Sequence, residues 1–201
     1  TRPVVESKRD RVPRGISSYS ARQTDRVTFL ITAGPTREPI DPVRYISNRS
    51  SGKMGYAIAE AALDIGHAVI LISGPVNLPP PPKARFISVS TSDEMFEAVR
   101  RHAEKSDICV LCAAVADYKP ARVSPIKIKK RNVEFSLGLI PTHDILKSLG
   151  RRRARKFLLV GFAAETDCLE ANATKKLREK NCDIIVANDA TVKGGTYFPM
   201  T

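Results

Sequence analysis

The sequence predicts an α/β fold: a doubly wound, three-layer, Rossmann-like and mostly parallel sheet with one projecting antiparallel hairpin. Short runs of apolar and β-branched residues alternate with segments of helical periodicity along most of the chain. The runs are almost continuously apolar, which is typical of parallel strands that are buried on both faces. This alternation also predicts right-handed crossovers between successive strands.

The first strand is predicted at Val27 to Thr32, because VTFLIT is apolar and is followed by Gly34 and Pro35. A helix follows Gly52, with apolar residues at helical spacing up to a capping glycine at position 66. Further strands are predicted at residues 68–73, 85–90, 108–114, 156–162 and 183–189, and further helices after Ser92 as the cap, at 143–149 and at 169–181. The alternating residues 126–130 and 133–139 predict the antiparallel hairpin.

The composition is that of one domain with a sizeable core, since the 201 residues are 42% hydrophobic and 27% charged. The domain is predicted at residues 27–201, after a basic and disordered extension at residues 1–26. No apolar stretch approaches the ~20 residues that a membrane span requires. We therefore expect a cytoplasmic protein that makes no membrane contact.

The net charge of +12 makes a basic nucleic-acid-binding module one alternative. Lys and Arg concentrate in the N-terminal tail and at residues 119–131, 151–156 and 175–180. Only 6% of residues are aromatic, so the basic runs lack the stacking platform that single-stranded nucleic acids require. A charged small substrate explains two of the four clusters better, and residues 151–156 are interpreted as a solvated loop. No specific nucleic acid is expected as a partner.

The CxxC pair Cys109 and Cys112 lies in a predicted strand, where successive side chains alternate between faces. The two thiols are therefore expected to point to opposite faces of the sheet and to be structural. Neither a second CxxC nor a nearby histidine completes a zinc site, and no residue is assigned to a metal. The sequence also contains no GxSxG, HExxH or Walker A pattern.

The loop between the first strand and the first helix is the most informative segment of the chain. Ligands of open α/β sheets bind beyond the carboxyl ends of the strands, and a helix start offers unpaired N–H groups to an anion. Five residues are therefore interpreted as a phosphate or substrate loop: Gly34, Ser50, Ser51, Gly52 and Gly55. Lys176 and Lys180 are four residues apart on a helix, so they share a face and suit a polyanion. Such a site suits a nucleoside triphosphate, with catalysis by positioning and charge neutralisation.

The motifs ITAGPTREPIDPVRYISNRSSGKMG, AAVADY, KIKK, GFAAET and the helix leading to AND closely resemble the phosphopantothenoylcysteine synthetase family, in its bacterial CTP-using form. The resemblance covers Val27 to Asp189 and implies a ligase of coenzyme A biosynthesis. 4'-Phosphopantothenate and CTP would form an acyl-cytidylate and pyrophosphate, and the amine of L-cysteine would then attack and release CMP. The resemblance further implies Mg²⁺ as the divalent cation, a homodimer, and a separate flavin-dependent phosphopantothenoylcysteine decarboxylase as a partner.

The resemblance also assigns site residues. The positions that match the family's nucleotide-binding residues are Asp117, Lys127, His143, Asp144, Ile145, Leu146, Phe162, Lys176 and Lys180. Lys127, the first residue of KIKK, matches the triphosphate lysine, and Asn48 matches the asparagine associated with the acyl intermediate; both are expected to be catalytic. A neutral amide at position 48 would donate to the carbonyl oxygen as charge develops. Histidine stands at position 143, where the family usually has proline.

Two departures keep other functions open. The chain stops at Thr201, where the family normally adds further strands and a helix, so the domain is expected to be truncated and a non-catalytic homologue is an alternative. A nucleotide-binding Rossmann-like reductase is the other alternative. It is disfavoured because the first loop lacks GxGxxG and because no acidic residue ends the second strand.

Overall fold

A computed structural model of the chain describes residues 4–7, 26–130, 132–165 and 169–189. In chain order, its elements are β1 (Val4–Ser7), β2 (Thr28–Ala33), β3 (Arg37–Pro39), β4 (Tyr45–Ser47), α1 (Lys53–Asp64), β5 (Ala68–Ser73), β6 (Arg85–Ser88), α2 (Ser92–His102), β7 (Ile108–Leu111), β8 (Tyr118–Pro120), β9 (Leu139–Pro141), α3 (Ile145–Gly150), β10 (Leu158–Glu165), α4 (Leu169–Glu179) and β11 (Ile184–Asp189). The predicted α/β fold is confirmed.

Seven strands form the main sheet, in the order β1-β11-β10-β7-β2-β5-β6. All neighbouring strands in it are parallel except β1, which pairs antiparallel with β11 at one edge. From β2 the chain builds outward through β5 and β6, and then it returns to the other side of β2 for β7, β10 and β11. The strand order therefore reverses between β2 and β7, and the crevice beyond the carboxyl ends at such a point is where ligands bind in this fold.

The sheet has a core on each face, because successive side chains of each strand point to opposite faces. Leu30 packs with one cluster and its neighbour Ile31 with the other. The first cluster joins the strands to α2, α3 and α4 and includes Leu30, Met95, Val99, Leu149, Leu159, Leu177 and Ile185. The second joins them to α1 and includes Ile31, Tyr56, Ala59, Leu71, Val110 and Val160. Helices thus cover both faces, as a three-layer arrangement requires.

The two cysteines of the CxxC pair confirm the predicted alternation. Cys109 belongs to the first core cluster and Cys112 to the second, so they lie on opposite faces of the sheet. Burial raises the pKa of each thiol to about 12, which keeps both protonated and poorly reactive at neutral pH. Both cysteines therefore act as small core residues in this structure.

Helix α2 begins one residue earlier than the sequence indicated. Thr91, not Ser92, is the N-cap: its hydroxyl accepts from the Glu94 backbone N–H at 3.2 Å, and the Glu94 carboxylate accepts from the Thr91 N–H. This reciprocal capping box satisfies two amide groups that a helix start leaves unpaired. Ser92 is instead buried beside Glu38, whose carboxylate accepts its backbone N–H at 2.8 Å.

The antiparallel projection is present, but its strands lie elsewhere than predicted. The ladder joins β8 to β9 at the base, and residues 121–130 and 132–138 beyond it are irregular. The physical reason lies at Ile128, whose backbone N–H donates to Asp41 at 3.1 Å and whose carbonyl accepts from Arg44 at 2.7 Å. The N–H and carbonyl of Ile128 are therefore not available to pair residues 126–130 with residues 133–139 as a ladder. We call residues 118–141 the arm.

The N-terminal segment also differs from expectation. Val4–Ser7 pair antiparallel with residues 184–187 of β11, so these four residues belong to the sheet rather than to a disordered extension. The rest of the predicted extension up to residue 25 lies outside the described residues, as do Cys168 and residues 190–201. Within the described part of the chain, no helix is long and apolar enough to cross a membrane.

Candidate active site

A cleft of about 620 Å³ opens at the carboxyl ends of β2, β7 and β10, at the point where the strand order reverses. Its wall comes from the ends of these strands, the loop after β7, the segment leading into α3, and α4. The lining residues are Thr32, Asn48, Leu111, Ala113, Ala114, Val115, Asp117, Pro141, Thr142, His143, Asp144, Ile145, Leu146, Phe162, Lys176 and Lys180.

The cleft brings together most of the residues that the sequence assigned to a nucleotide. Nine of the predicted positions line it: Asn48, Asp117, His143, Asp144, Ile145, Leu146, Phe162, Lys176 and Lys180. They come from five separate parts of the chain. Lys127 and the five residues predicted as a phosphate loop do not line the cleft in this structure.

The loop 113–117, which follows β7, is held in place by side chains rather than by a regular ladder. Thr36 accepts from the Ala116 N–H at 3.0 Å, and Thr142 donates to the Ala116 carbonyl at 2.6 Å. The backbone of Gly34 and Thr36 adds bonds of 2.9 and 3.3 Å to Ala114. The loop that presents Asp117 is therefore fixed before any ligand arrives, and a fixed site loses less free energy on binding.

Asn48 has its amide nitrogen directed at this loop. Nδ2 donates to the carbonyls of Ala114 at 3.3 Å and of Val115 at 3.1 Å. The reverse orientation would place Oδ1 against two carbonyl oxygens, so the hydrogen-bond network determines which amide atom is which. The amide atom left to a ligand is therefore Oδ1, an acceptor. In the sequence analysis, by contrast, Asn48 was expected to donate through this amide.

Lys180 and Asp144 form an ion pair across the cleft, between α4 and the start of α3. The Asp144 carboxylate also caps α3, accepting from the Lys147 N–H at 2.8 Å. Burial acts to raise the pKa of Asp144, but the hydrogen bonds from Lys180 and Lys147 outweigh it and the pKa is lowered. Asp144 is therefore ionised at neutral pH, and it orients the Lys180 ammonium group in the absence of a ligand.

His143 lies at the start of this segment and stacks on Phe96 of α2. The two ring centroids are 4.6 Å apart and the planes differ by 18°. Beside them, Lys119 of the arm pairs with Asp93 in the first turn of α2. These two contacts attach the rim of the cleft to α2, and the ring stacking gives His143 a structural role.

The glycines of the predicted phosphate loop have structural reasons of their own. Gly34 and Gly52 have φ values of +71° and +75°, which side chains rarely adopt, and a Cβ on either would lie 2.9 Å from Val76. A Cβ on Gly55 would lie 2.6 Å from the Ala33 side chain, so this glycine lets α1 pack closely on β2. Ser50 and Ser51 make only local bonds of 3.4 Å at the start of α1. Their contact with phosphate remains a prediction.

Lys127 is exposed on the arm, and its neighbour Ile128 is held by a backbone hydrogen bond to Asp41. The buried carboxylate of Asp41 accepts from the Ile128 N–H, from the backbone of Val43 and Arg44, and from the Arg44 guanidinium at 2.5 Å. The hydrogen bond from Arg44 holds the pKa of Asp41 well below its usual range. The Asp41–Arg44 pair therefore stays charged and fixes the segment that carries Lys127.

The fold and the cleft define a doubly wound α/β domain with a preformed ligand site at the switch point of its sheet. The sequence matches the family described as the DNA/pantothenate metabolism flavoprotein C-terminal domain over residues 24–198. The chain belongs to this family.

Three relatives illustrate the likeness. The coenzyme A biosynthesis bifunctional protein CoaBC of Bacillus subtilis is 52% identical over 169 residues, which are 84% of this chain and 41% of the relative. The protein of that name from Vibrio vulnificus is 48% identical over 169 residues, 83% of this chain and 42% of the relative. The crystal structure of the C-terminal domain of a CoaBC protein superposes with a TM-score of 0.72 at 51% identity, covering 81% of this chain and 77% of that one. The chain thus spans about two fifths of the length of these curated relatives.

Several residues that line the cleft or hold the arm are not among those predicted from the sequence. Thr32 and Thr142 line the cleft, and the Asp41–Arg44 pair anchors the arm. A signal for Thr32 was present, because it is the polar residue near the carboxyl end of an otherwise apolar strand. The contacts of Asp41 with residues 87 positions away had no local sequence signal.

Proposed function

We propose that this chain is a CTP-dependent phosphopantothenate–cysteine ligase of coenzyme A biosynthesis and that it acts in the cytoplasm. The carboxylate of 4'-phosphopantothenate attacks the α-phosphorus of CTP, the bond to the β-phosphate breaks, and pyrophosphate leaves. The amine of L-cysteine then attacks the acyl carbon, the bond to the CMP oxygen breaks, and the amine loses a proton. The observation that carries the proposal is that one preformed cleft gathers nine residues predicted for such a site.

The chemistry of the cleft supports a nucleotide. Lys176 lies in α4, and Lys180 directly follows the helix with its backbone N–H donating to the Lys176 carbonyl at 3.0 Å. Both line the cleft, where their charges offset those of a triphosphate. Phe162 and Leu146 provide apolar contact, as small-molecule sites commonly do. Exchange of the Asp144 carboxylate for a phosphate oxygen would keep Lys180 paired in both the free and the bound states. Lys127 is proposed to reach the triphosphate from the arm.

Asn48 is proposed to act in the second step. Because its Nδ2 is engaged with Ala114 and Val115, Oδ1 is the atom that faces a ligand as an acceptor. An acceptor suits the attacking amine, whose N–H groups need orientation before the nitrogen lone pair meets the acyl carbon. This role differs from donation to the acyl oxygen, which the sequence alone predicts for the amide.

Magnesium is proposed to enter with the triphosphate as part of the substrate. A triphosphate carries about four negative charges, and Mg²⁺ typically binds through phosphate oxygens and one or two carboxylates. Among the described residues, no group of three or more His, Cys, Asp or Glu is placed to hold a metal. Two exposed carboxylates line the cleft, and Asp117 is the one proposed to face the cation, because Asp144 is paired with Lys180.

The test of this function is pyrophosphate release by the purified chain. We expect release from CTP only when 4'-phosphopantothenate and Mg²⁺ are both present, since the carboxylate is the attacking group. Adding L-cysteine should then convert the accumulated acyl-cytidylate to the amide with release of CMP, which mass spectrometry would detect. Release at an equal rate without 4'-phosphopantothenate would refute acyl activation.

A homodimer is also proposed, with the arm as the contact between copies. The arm exposes seven large apolar residues: Tyr118, Val123, Ile126, Val133, Phe135, Leu139 and Ile140. Ile126 and Val133 are 74% and 70% exposed, and so many exposed apolar side chains within one short segment are unusual on a monomer surface. Lys127, which the arm carries, would then lie beside a second copy. A separate flavin-dependent decarboxylase is proposed to receive the product.

The dimer can be tested by light scattering during size-exclusion chromatography. We expect twice the mass of the chain, and a shift toward the monomer in the variant Phe135→Asp, because a charge in an apolar contact is unfavourable. Ile65→Asp is the matched control, since Ile65 is 66% exposed but lies at the end of α1, outside the arm. A monomer at all concentrations would contradict the proposal, as would equal effects of the two substitutions.

A further inference from the structure

Among the described residues, Thr32 is the one buried hydroxyl that lines the cleft, and it is the penultimate residue of β2. It is 2% exposed, it lies at the carboxyl end of β2, and it lines the cleft together with Asn48. Val or Ile would satisfy the packing of an apolar strand at this position equally well. The presence of a hydroxyl here therefore calls for a polar partner.

Part of the reason is local. The ladder between β2 and β7 ends at Thr32 and Leu111, and beyond it the Thr32 oxygen accepts from the backbone N–H groups of Cys112 and Ala113, each at 3.1 Å. The hydroxyl thus fixes the direction in which the chain leaves β7. A hydroxyl oxygen has two lone pairs and one hydrogen, so these two bonds use its whole capacity to accept.

The hydroxyl hydrogen of Thr32 is still available to be donated. No acceptor for it lies within hydrogen-bonding distance in the part of the chain that the structure describes, and its oxygen is turned toward two donors. Buried hydroxyl groups nearly always donate as well as accept. Because Thr32 lines the cleft, a ligand bound there can supply the missing acceptor.

We propose that Thr32 is a ligand-binding residue that donates its hydroxyl hydrogen to an oxygen of the substrate. The partner must supply an acceptor, and the charged or polarised oxygens of the proposed substrates suit this best: a phosphoryl oxygen of the nucleotide, or the carboxylate or acyl oxygen of the acid. On this assignment Thr32 donates and Asn48 accepts on either side of the loop 113–115. The assignment rests on the proposed ligase function and adds a residue to it.

The test compares Thr32→Val with Thr36→Val by calorimetric titration with CTP and CMP, and by the KM for 4'-phosphopantothenate. Thr36 is the matched control, because it is also buried and holds the same loop through Ala116 but does not line the cleft. Loss of a hydrogen bond to a charged oxygen should weaken one ligand about 10- to 100-fold in Thr32→Val and less than about threefold in Thr36→Val. Thr32→Ser should restore binding.

The pattern identifies the partner oxygen. Losses for CTP and CMP alike assign the α-phosphate, a loss for CTP alone assigns the β- or γ-phosphate, and a raised KM for the acid with unchanged nucleotide binding assigns the acyl oxygen. Equal losses in the two threonine variants would mean that Thr32 only holds the loop, and the assignment would be overturned. A parent protein that binds none of the three ligands would overturn the proposed function itself.

Discussion

Lys176→Gln is expected to weaken CTP binding about 10- to 100-fold, because it removes a charge-assisted hydrogen bond worth about 1.5–3 kcal/mol. Lys176 lines the cleft on the face of α4 that it shares with Lys180. Glutamine is one atom shorter than lysine, remains polar and has a similar helix preference, so the loss is mainly one of charge. Isothermal titration calorimetry in the presence of Mg²⁺ measures it directly.

Lys175→Gln is the matched control, since Lys175 is the preceding residue of the same helix but is exposed and does not line the cleft. It should leave the CTP affinity within about twofold, as surface substitutions usually do. The same pair of variants tests the nucleic-acid alternative. A nucleic-acid binder would lose affinity for DNA or RNA similarly with either lysine, and the slope of affinity against salt would fall by about one unit in each. That outcome, with no CTP binding by the parent, would contradict the ligase proposal.

Arg155→Met is expected to lower the free energy of unfolding by about 3 kcal/mol, because it leaves a largely buried carboxylate without its partner. Arg155 pairs with Asp183 at 2.6 Å, and the two side chains are only 11% and 16% exposed. Arg155 also donates to the carbonyl of Asn181 at 2.7 Å, while Asp183 accepts from the Leu159 N–H at 2.8 Å. The pair thus joins the loop after α3 to the segment that follows α4. Urea denaturation measures the effect.

Two further variants make this test specific. Arg153→Met, in the same loop, should change stability by no more than about 0.5 kcal/mol, because Arg153 is exposed. The double variant Arg155→Met with Asp183→Asn should recover much of the loss, since it removes both charges and keeps an acceptor for Leu159. A loss below about 1 kcal/mol in Arg155→Met would show that the ion pair contributes little. The predicted solvated loop at residues 151–156 is correct for Arg151, Arg153 and Lys156, which are exposed. It is wrong for Arg155, whose side chain is largely buried in the ion pair with Asp183.

The sequence by itself determined the order and type of the main elements. Central strands such as β5 bury both faces, and helices such as α1 bury one continuous stripe. Their hydrophobic patterns are therefore strong and local. The opposite orientation of Cys109 and Cys112 follows from the same rule and was predicted correctly. Most of the cleft residues were predicted through the resemblance of the motifs to a known family, and the convergence of several of these motifs at the carboxyl ends of parallel strands agrees with that assignment.

Only the tertiary structure decided the contacts between segments that are distant in sequence. The Asp41 carboxylate reaches Ile128 across 87 positions, and this contact replaces the strand that alternation had predicted in the arm. The two carbonyls that orient Asn48 lie more than 60 positions away, so whether its amide donates or accepts has no local signal. Arg155 and its exposed neighbours have the same composition, and the difference in burial comes from the packing of α3 and α4. Hydrophobic periodicity is a property of a segment, whereas the partner of a polar group depends on the whole fold.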